Sequence, residues 1–109
     1  MEGTIYTKFK RGTIGIEDDK LIVTLHTKFL GMGRTLKKDE SLLVSNITAV
    51  EIDLEGRLMI RRKKGDPLFF GICNPKEGIG RLAGHINSLN PKAKVIHFSL
   101  LIPPPNAVL

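Results

Sequence analysis

Three histidines, one cysteine and two groups of cations are the side chains in this 109-residue chain whose types invite chemistry. His26, His85 and His97 show no metal-ligand spacing with one another or with Cys73. Cys73 admits two readings: a thiol whose pKa is lowered by the helix that follows it, or a small residue buried in the core. No serine stands in a nucleophile elbow, and the carboxylates gather only in turns. The sequence therefore implies no cofactor and no metal, and it points away from an enzyme.

The cations suggest binding instead. Lys28, Phe29, Leu30, Met32, Arg34, Lys37 and Lys38 set apolar tips among positive charges. That pattern suits an anionic membrane surface, where each nearby basic residue adds about 1 kcal/mol. The alternative is that Phe29 and Leu30 turn inward and the cations form a solvated rim. Arg61-Arg62-Lys63-Lys64 is the densest basic run. Strand alternation would send its residues to opposite faces, so they cannot form one flat phosphate-binding patch. Few aromatics remain for base stacking once the core is filled, so nucleic acid is not an expected partner. A solvated sheet edge that discourages strand addition is the expected role for this run. The formal charge of +6 fits an acidic or lipid partner, or simple solubility.

The elements that position these groups are mostly strands. With 41% hydrophobic and 26% charged residues the chain has the composition of one globular domain rather than a disordered one. In GTIGIEDDKLIVTLHTK a two-residue loop at Asp18-Asp19 places Ile16 beside Leu21 and Ile14 beside Val23, with Leu25 continuing that face. Gly31 and Gly33 mark a loop or bulge and match no phosphate-binding signature. Further on, Val50, Ile52 and Leu54 are expected inward, with Glu51 and Asp53 outward. Parity then requires an odd loop, Glu55-Gly56-Arg57, pairing Leu54 with Leu58 and Ile52 with Ile60, with Gly56 or a neighbour at φ > 0. This register sets Glu51 opposite Arg61 and leaves Met59 outside. PLFFGIC reads as a short buried strand with Phe70 and Ile72 inward.

One stretch has a helical period. Ile79, Leu82, Ala83, Ile86 and Leu89 recur at spacings of three and four, so a helix is expected over 75–89. Asn74 is its expected N-cap, Pro75 its first residue, and Asn90-Pro91 its end. Gly80 and Gly84, with Arg81, fall opposite the apolar stripe. Each glycine costs the helix about 1 kcal/mol of propensity, and a close contact between subunits would explain them. The predicted core is Ile14, Ile16, Val23, Val50, Ile52, Leu58, Ile60, Phe70, Ile79, Leu82 and Ile86.

Past the helix, VIHFSLLI has strand propensity and PPP must be extended or loop. This apolar extension, 91–109, either packs back on the domain (1–90) or sits in a partner. No apolar run reaches the roughly 20 residues that span a bilayer. No apolar leader follows the initial Met1, and a lone cysteine suits a reducing compartment. A cytoplasmic protein is expected, membrane-peripheral in the lipid reading.

The order of GTIGIEDDKLIVT, LLVSNITAVEI, GRLMIRR, PLFFGI and the helix, spanning about residues 12–89, resembles the pleckstrin-homology-like (PH-like) superfold, in particular its small bacterial and archaeal domains. Ile47 and Val50 stand where such domains carry an I-x-x-V strand start. The resemblance implies a mainly β split barrel of about seven antiparallel strands capped by one C-terminal α-helix. It also implies a non-catalytic binding module, acting through protein contact and in some relatives through self-assembly. Eukaryotic relatives bind phosphoinositides through a basic loop between the first two strands. Placed at Glu17-Asp18-Asp19, that loop is acidic here.

Overall fold

The computed structural model describes residues 5–25 and 39–108. Eight strands and one α-helix follow in order: β1 (Ile5–Phe9), β2 (Gly12–Glu17), β3 (Lys20–Leu25), β4 (Asp39–Leu43), a 3-10 turn (Val44–Asn46), β5 (Ile47–Asp53), β6 (Arg57–Arg62), β7 (Leu68–Asn74), α1 (Lys76–Leu89) and β8 (Lys94–Phe98). The strands form one open sheet ordered β4-β3-β2-β1-β7-β6-β5-β8. Every pairing is antiparallel except β5 with β8, which is parallel. A mainly β fold with one helix is what the sequence indicates; the sheet differs from the expected barrel of about seven strands in being open and in having eight, the eighth lying where VIHFSLLI has strand propensity.

The β2–β3 hairpin has the expected register, with Ile16 opposite Leu21 and Ile14 opposite Val23. Asp18 takes the left-handed conformation at φ 58°, which Asp tolerates in a two-residue turn. β1 and β7 meet only at Lys8–Asn74 and Phe9–Cys73, so the sheet is split between its two halves at this junction. A single apolar cluster joins both halves to α1 and contains the eleven residues named as the predicted core, but not Leu54 or Ile72, also expected inward.

The helix spans that cluster. Ile79, Leu82, Ala83 and Ile86 are buried, whereas Leu89 is exposed. At its start Gly78 lies so close to β1 that a Cβ would sit 3.3 Å from Thr7. At its end the Asn90 side-chain amide donates to the Val44 and Ile47 carbonyls, 3.0 Å each, tying the helix to the turn between β4 and β5. Asn74 is not the N-cap. It ends β7, its carbonyl accepts from the Thr7 hydroxyl at 2.8 Å, and Pro75, after a cis peptide bond, occupies the cap position without a side-chain bond.

Two bulges displace the expected faces. In β5 the register shifts by one between Ile47 and Ala49, so Ile47 and Val50 both face the core despite their spacing of three. In β7 it shifts beside Phe70, and Gly71 takes φ 77°. A bulge inserts one residue and reverses the facing beyond it. Cys73 therefore points inward, and Ile72, expected in the core, is 46% exposed.

The β5–β6 hairpin also departs from expectation. Its loop has three residues and Gly56 has positive φ, but the loop is Leu54-Glu55-Gly56 and Ile52 pairs with Leu58. Parity fixes which side chains face the core, and a slip of two residues leaves parity unchanged. Leu54, expected inward, is 73% exposed in the loop. Met59, Glu51 and Asp53, expected outside, are all buried. They alternate with the core-facing Val50, Ile52, Leu58 and Ile60, and the C-terminal segment reaches Asp53 through the Leu101 N–H. From Phe98, paired with Asp53, the chain reaches Val108, which exchanges two 2.9 Å backbone hydrogen bonds with Pro67 and Phe69 at the start of β7. The apolar extension thus packs back as an eighth strand followed by a strap.

Candidate functional site

Asp53 ends β5, and its side chain is fully buried. One carboxylate oxygen accepts from the Glu55 and Arg57 backbone N–H groups at 2.9 Å each. The other accepts from the Arg57 guanidinium at 3.0 Å and from the Leu101 N–H at 2.9 Å. Burial pushes the carboxyl pKa up, but the donors outweigh burial, and the Arg57 and Leu101 amides contribute most. The net pKa lies at about 2, below the ordinary 3.8. One side chain thereby fixes the β5–β6 loop, the strap and an arginine. Sequence reading missed it, although an Asp followed by Leu-Glu-Gly-Arg at a strand end is the signature of a turn closed by its own carboxylate.

Two surfaces flank Asp53. The first is an apolar corner. Leu54 follows Asp53 in the chain, Phe98 pairs with it, and Leu100 and Ile102 flank the residue whose N–H it holds. Leu101 turns in and is buried, while Leu54, Leu100 and Ile102 are 73%, 55% and 72% exposed, with Phe98 at 37%. Four large apolar side chains are thus exposed on backbone that adjoins Asp53 or the residue bonded to it, and grouped exposure marks an interaction site better than scattered single residues do.

The second surface is a basic cleft of about 400 Å³ where β1 and β7 diverge. Lys10, Arg11 and Arg57 line it together with Phe9, Phe69 and Phe70. Phe9 and Phe70 meet edge to face with ring centroids 5.0 Å apart. Arg57 is held in place by Asp53. This geometry overturns one expectation. The loop joining the first two strands is Lys10-Arg11, between β1 and β2, and it is basic, because Ile5–Phe9 is itself a paired strand. The acidic Asp18-Asp19 loop is the second turn.

The remaining candidates are dispersed. Lys28, Phe29, Leu30, Met32, Arg34, Lys37 and Lys38 lie outside the described residues, as does His26. Gly80, Arg81 and Gly84 are exposed on α1, and a Cβ at either glycine would meet nothing within 4 Å. The Arg61–Lys64 run is not on a sheet edge, since β6 lies between β5 and β7. Arg61 pairs with the buried Glu51 at 2.6 Å, although Glu51 faces Met59 in register. Arg62 donates to the Asp66 carbonyl at 2.8 Å, while Lys63 and Lys64 are exposed. Cys73 is buried, and burial pushes its thiol up to about 12, so it is not an activated nucleophile. Among the described residues no three His, Cys, Asp or Glu side chains come together in a way that could hold a metal ion. No described helix is long and apolar enough to cross a membrane.

No protein-family model, curated protein or solved structure matches this chain.

Proposed function

We propose that this chain is a non-catalytic, PH-like binding module that works through protein–protein contact. The observation that carries the reading is the apolar corner of Leu54, Phe98, Leu100 and Ile102, four large side chains left in water beside a backbone that Asp53 holds rigid. Ordering has already been completed there, so a partner would lose little conformational entropy on binding. The PH-like element of the reading draws support from the order β4-β3-β2-β1-β7-β6-β5 with α1 across both halves; β8 and the strap are additions to that plan. A photo-crosslinking residue placed at Ile102 tests the contact in cells. Covalent protein adducts at this position, absent when the same residue replaces exposed Lys64, support the reading; no adduct at either position refutes it.

A second reading is peripheral binding to anionic lipid. Expected first for residues 28–38, it gains support from the basic cleft, where Lys10, Arg11 and Arg57 face a common space. Liposome co-sedimentation decides: salt-sensitive recovery with anionic vesicles alone supports it, and equal recovery with neutral vesicles removes it.

A further inference from the structure

We infer that the apolar corner is where two copies of this chain meet, patch against patch across a two-fold axis. This rests on the protein-contact reading and names its partner. Leu54, Phe98, Leu100 and Ile102 carry no charge, and the ionised pair beneath them, Asp53 with Arg57, is satisfied within the chain. A partner selected by charge would need ions at the centre of the contact, and the centre here is apolar. For a chain of formal charge +6, this is a surface on which a second copy can approach without setting cation against cation at the point of contact. Like surfaces of this composition are self-complementary, as an isologous two-fold contact requires.

The size is adequate. Four side chains of this kind expose a few hundred Å² per copy, and with the surrounding rim two copies would bury about 1,000 Å² in total, the lower end for a specific interface. The geometry is set before the copies meet. Leu101 is buried with its N–H on Asp53, which presents Leu100 and Ile102 outward on either side of a fixed residue. The glycine face of α1 is a weaker alternative because Arg81 stands between Gly80 and Gly84, and a two-fold contact there would bring the two arginines together.

Light scattering on the eluting protein tests the inference, using the full chain. At about 0.1 mM the wild type is expected to have twice the 12.1 kDa chain mass. Association should strengthen at least threefold as salt rises from about 0.05 to 0.5 M, because the net charges repel and salt screens them. Leu100→Asp with Ile102→Asp should be monomeric with at most a small fall in melting temperature, since both side chains are more than half exposed. Gly80→Arg with Gly84→Arg should leave the dimer intact. A wild type that is monomeric at every salt concentration overturns the inference, as does a dimer broken only by the helix variants. Adducts at Ile102 heavier or lighter than a chain pair would uphold protein contact while overturning the second copy.

Discussion

The β2–β3 and β5–β6 hairpins are built alike, two antiparallel strands around a short turn, yet different forces set their registers. In β2–β3 the hydrophobic pattern and the Asp18-Asp19 turn agree, and nothing outside the hairpin is needed to align Ile14 with Val23. In β5–β6 the pattern allows two registers, and a buried carboxylate chooses one. Asp53 gathers the amides of Glu55 and Arg57 into the turn and the amide of Leu101 from the strap. The first hairpin is a local object. The second is a junction, and the exposed apolar corner exists because the junction holds it open to solvent.

That contrast predicts unequal sensitivity. Asp53→Ala should cost about 3–5 kcal/mol, because it leaves Arg57 and three backbone donors without their acceptor. Chemical denaturation followed by circular dichroism measures this. Asp18→Ala, which loses only turn preference at positive φ, should cost about 1 kcal/mol. Equal losses would abolish the distinction. The pH dependence follows from the same carboxylate. Its folded pKa is depressed to about 2 from 3.8, so its stabilisation is complete above pH 3.8 and is lost as pH falls through 2. Asp53→Asn should flatten the stability profile in that window, measured by acid titration of the melting temperature.

Residue facings in β7 sharpen the comparison further. Gly71→Ala should cost about 1–2 kcal/mol from its φ of 77° alone, since a Cβ there would meet no other atom. The smallest effect has the opposite sign. Gly80→Ala and Gly84→Ala should each stabilise the chain by about 1 kcal/mol, because their Cβ positions are open and alanine favours helix. A destabilisation at these positions would show that the helix face is covered after all, and would favour assembly there.

The sequence disclosed what depends on neighbours along the chain. The helix stripe of Ile79, Leu82, Ala83 and Ile86 was legible because its period is local, as was the Ile14–Val23 pairing. Three features were not. The strap reaches Asp53 from 48 residues away in the chain, so a carboxylate that alternates as solvent-exposed is buried and bonded by a distant segment. Bulges at Thr48 and Phe70 reverse facing without a strong signal, and only the positive φ of Gly71 leaves a trace in residue type. The basic Lys10-Arg11 turn was not legible because Ile5–Phe9, IYTKF, alternates too weakly to declare a strand ahead of it. Of the candidate site, the individual cations and the apolar tail could be read directly. Their assembly around Asp53 required the pairing of β5 with β8.

Hydrogen exchange at the Leu101 amide tests the junction most directly. In the wild type that N–H is donated at 2.9 Å to a buried carboxylate outside any strand ladder, and it should exchange slowly, as β5 and β6 amides do. In Asp53→Ala its protection should vanish while the amides of Ile14 and Val23 keep most of theirs. A Leu101 amide that exchanges at the unprotected rate in the wild type would contradict the account, because the strap, and the corner it presents, would then not be held by Asp53.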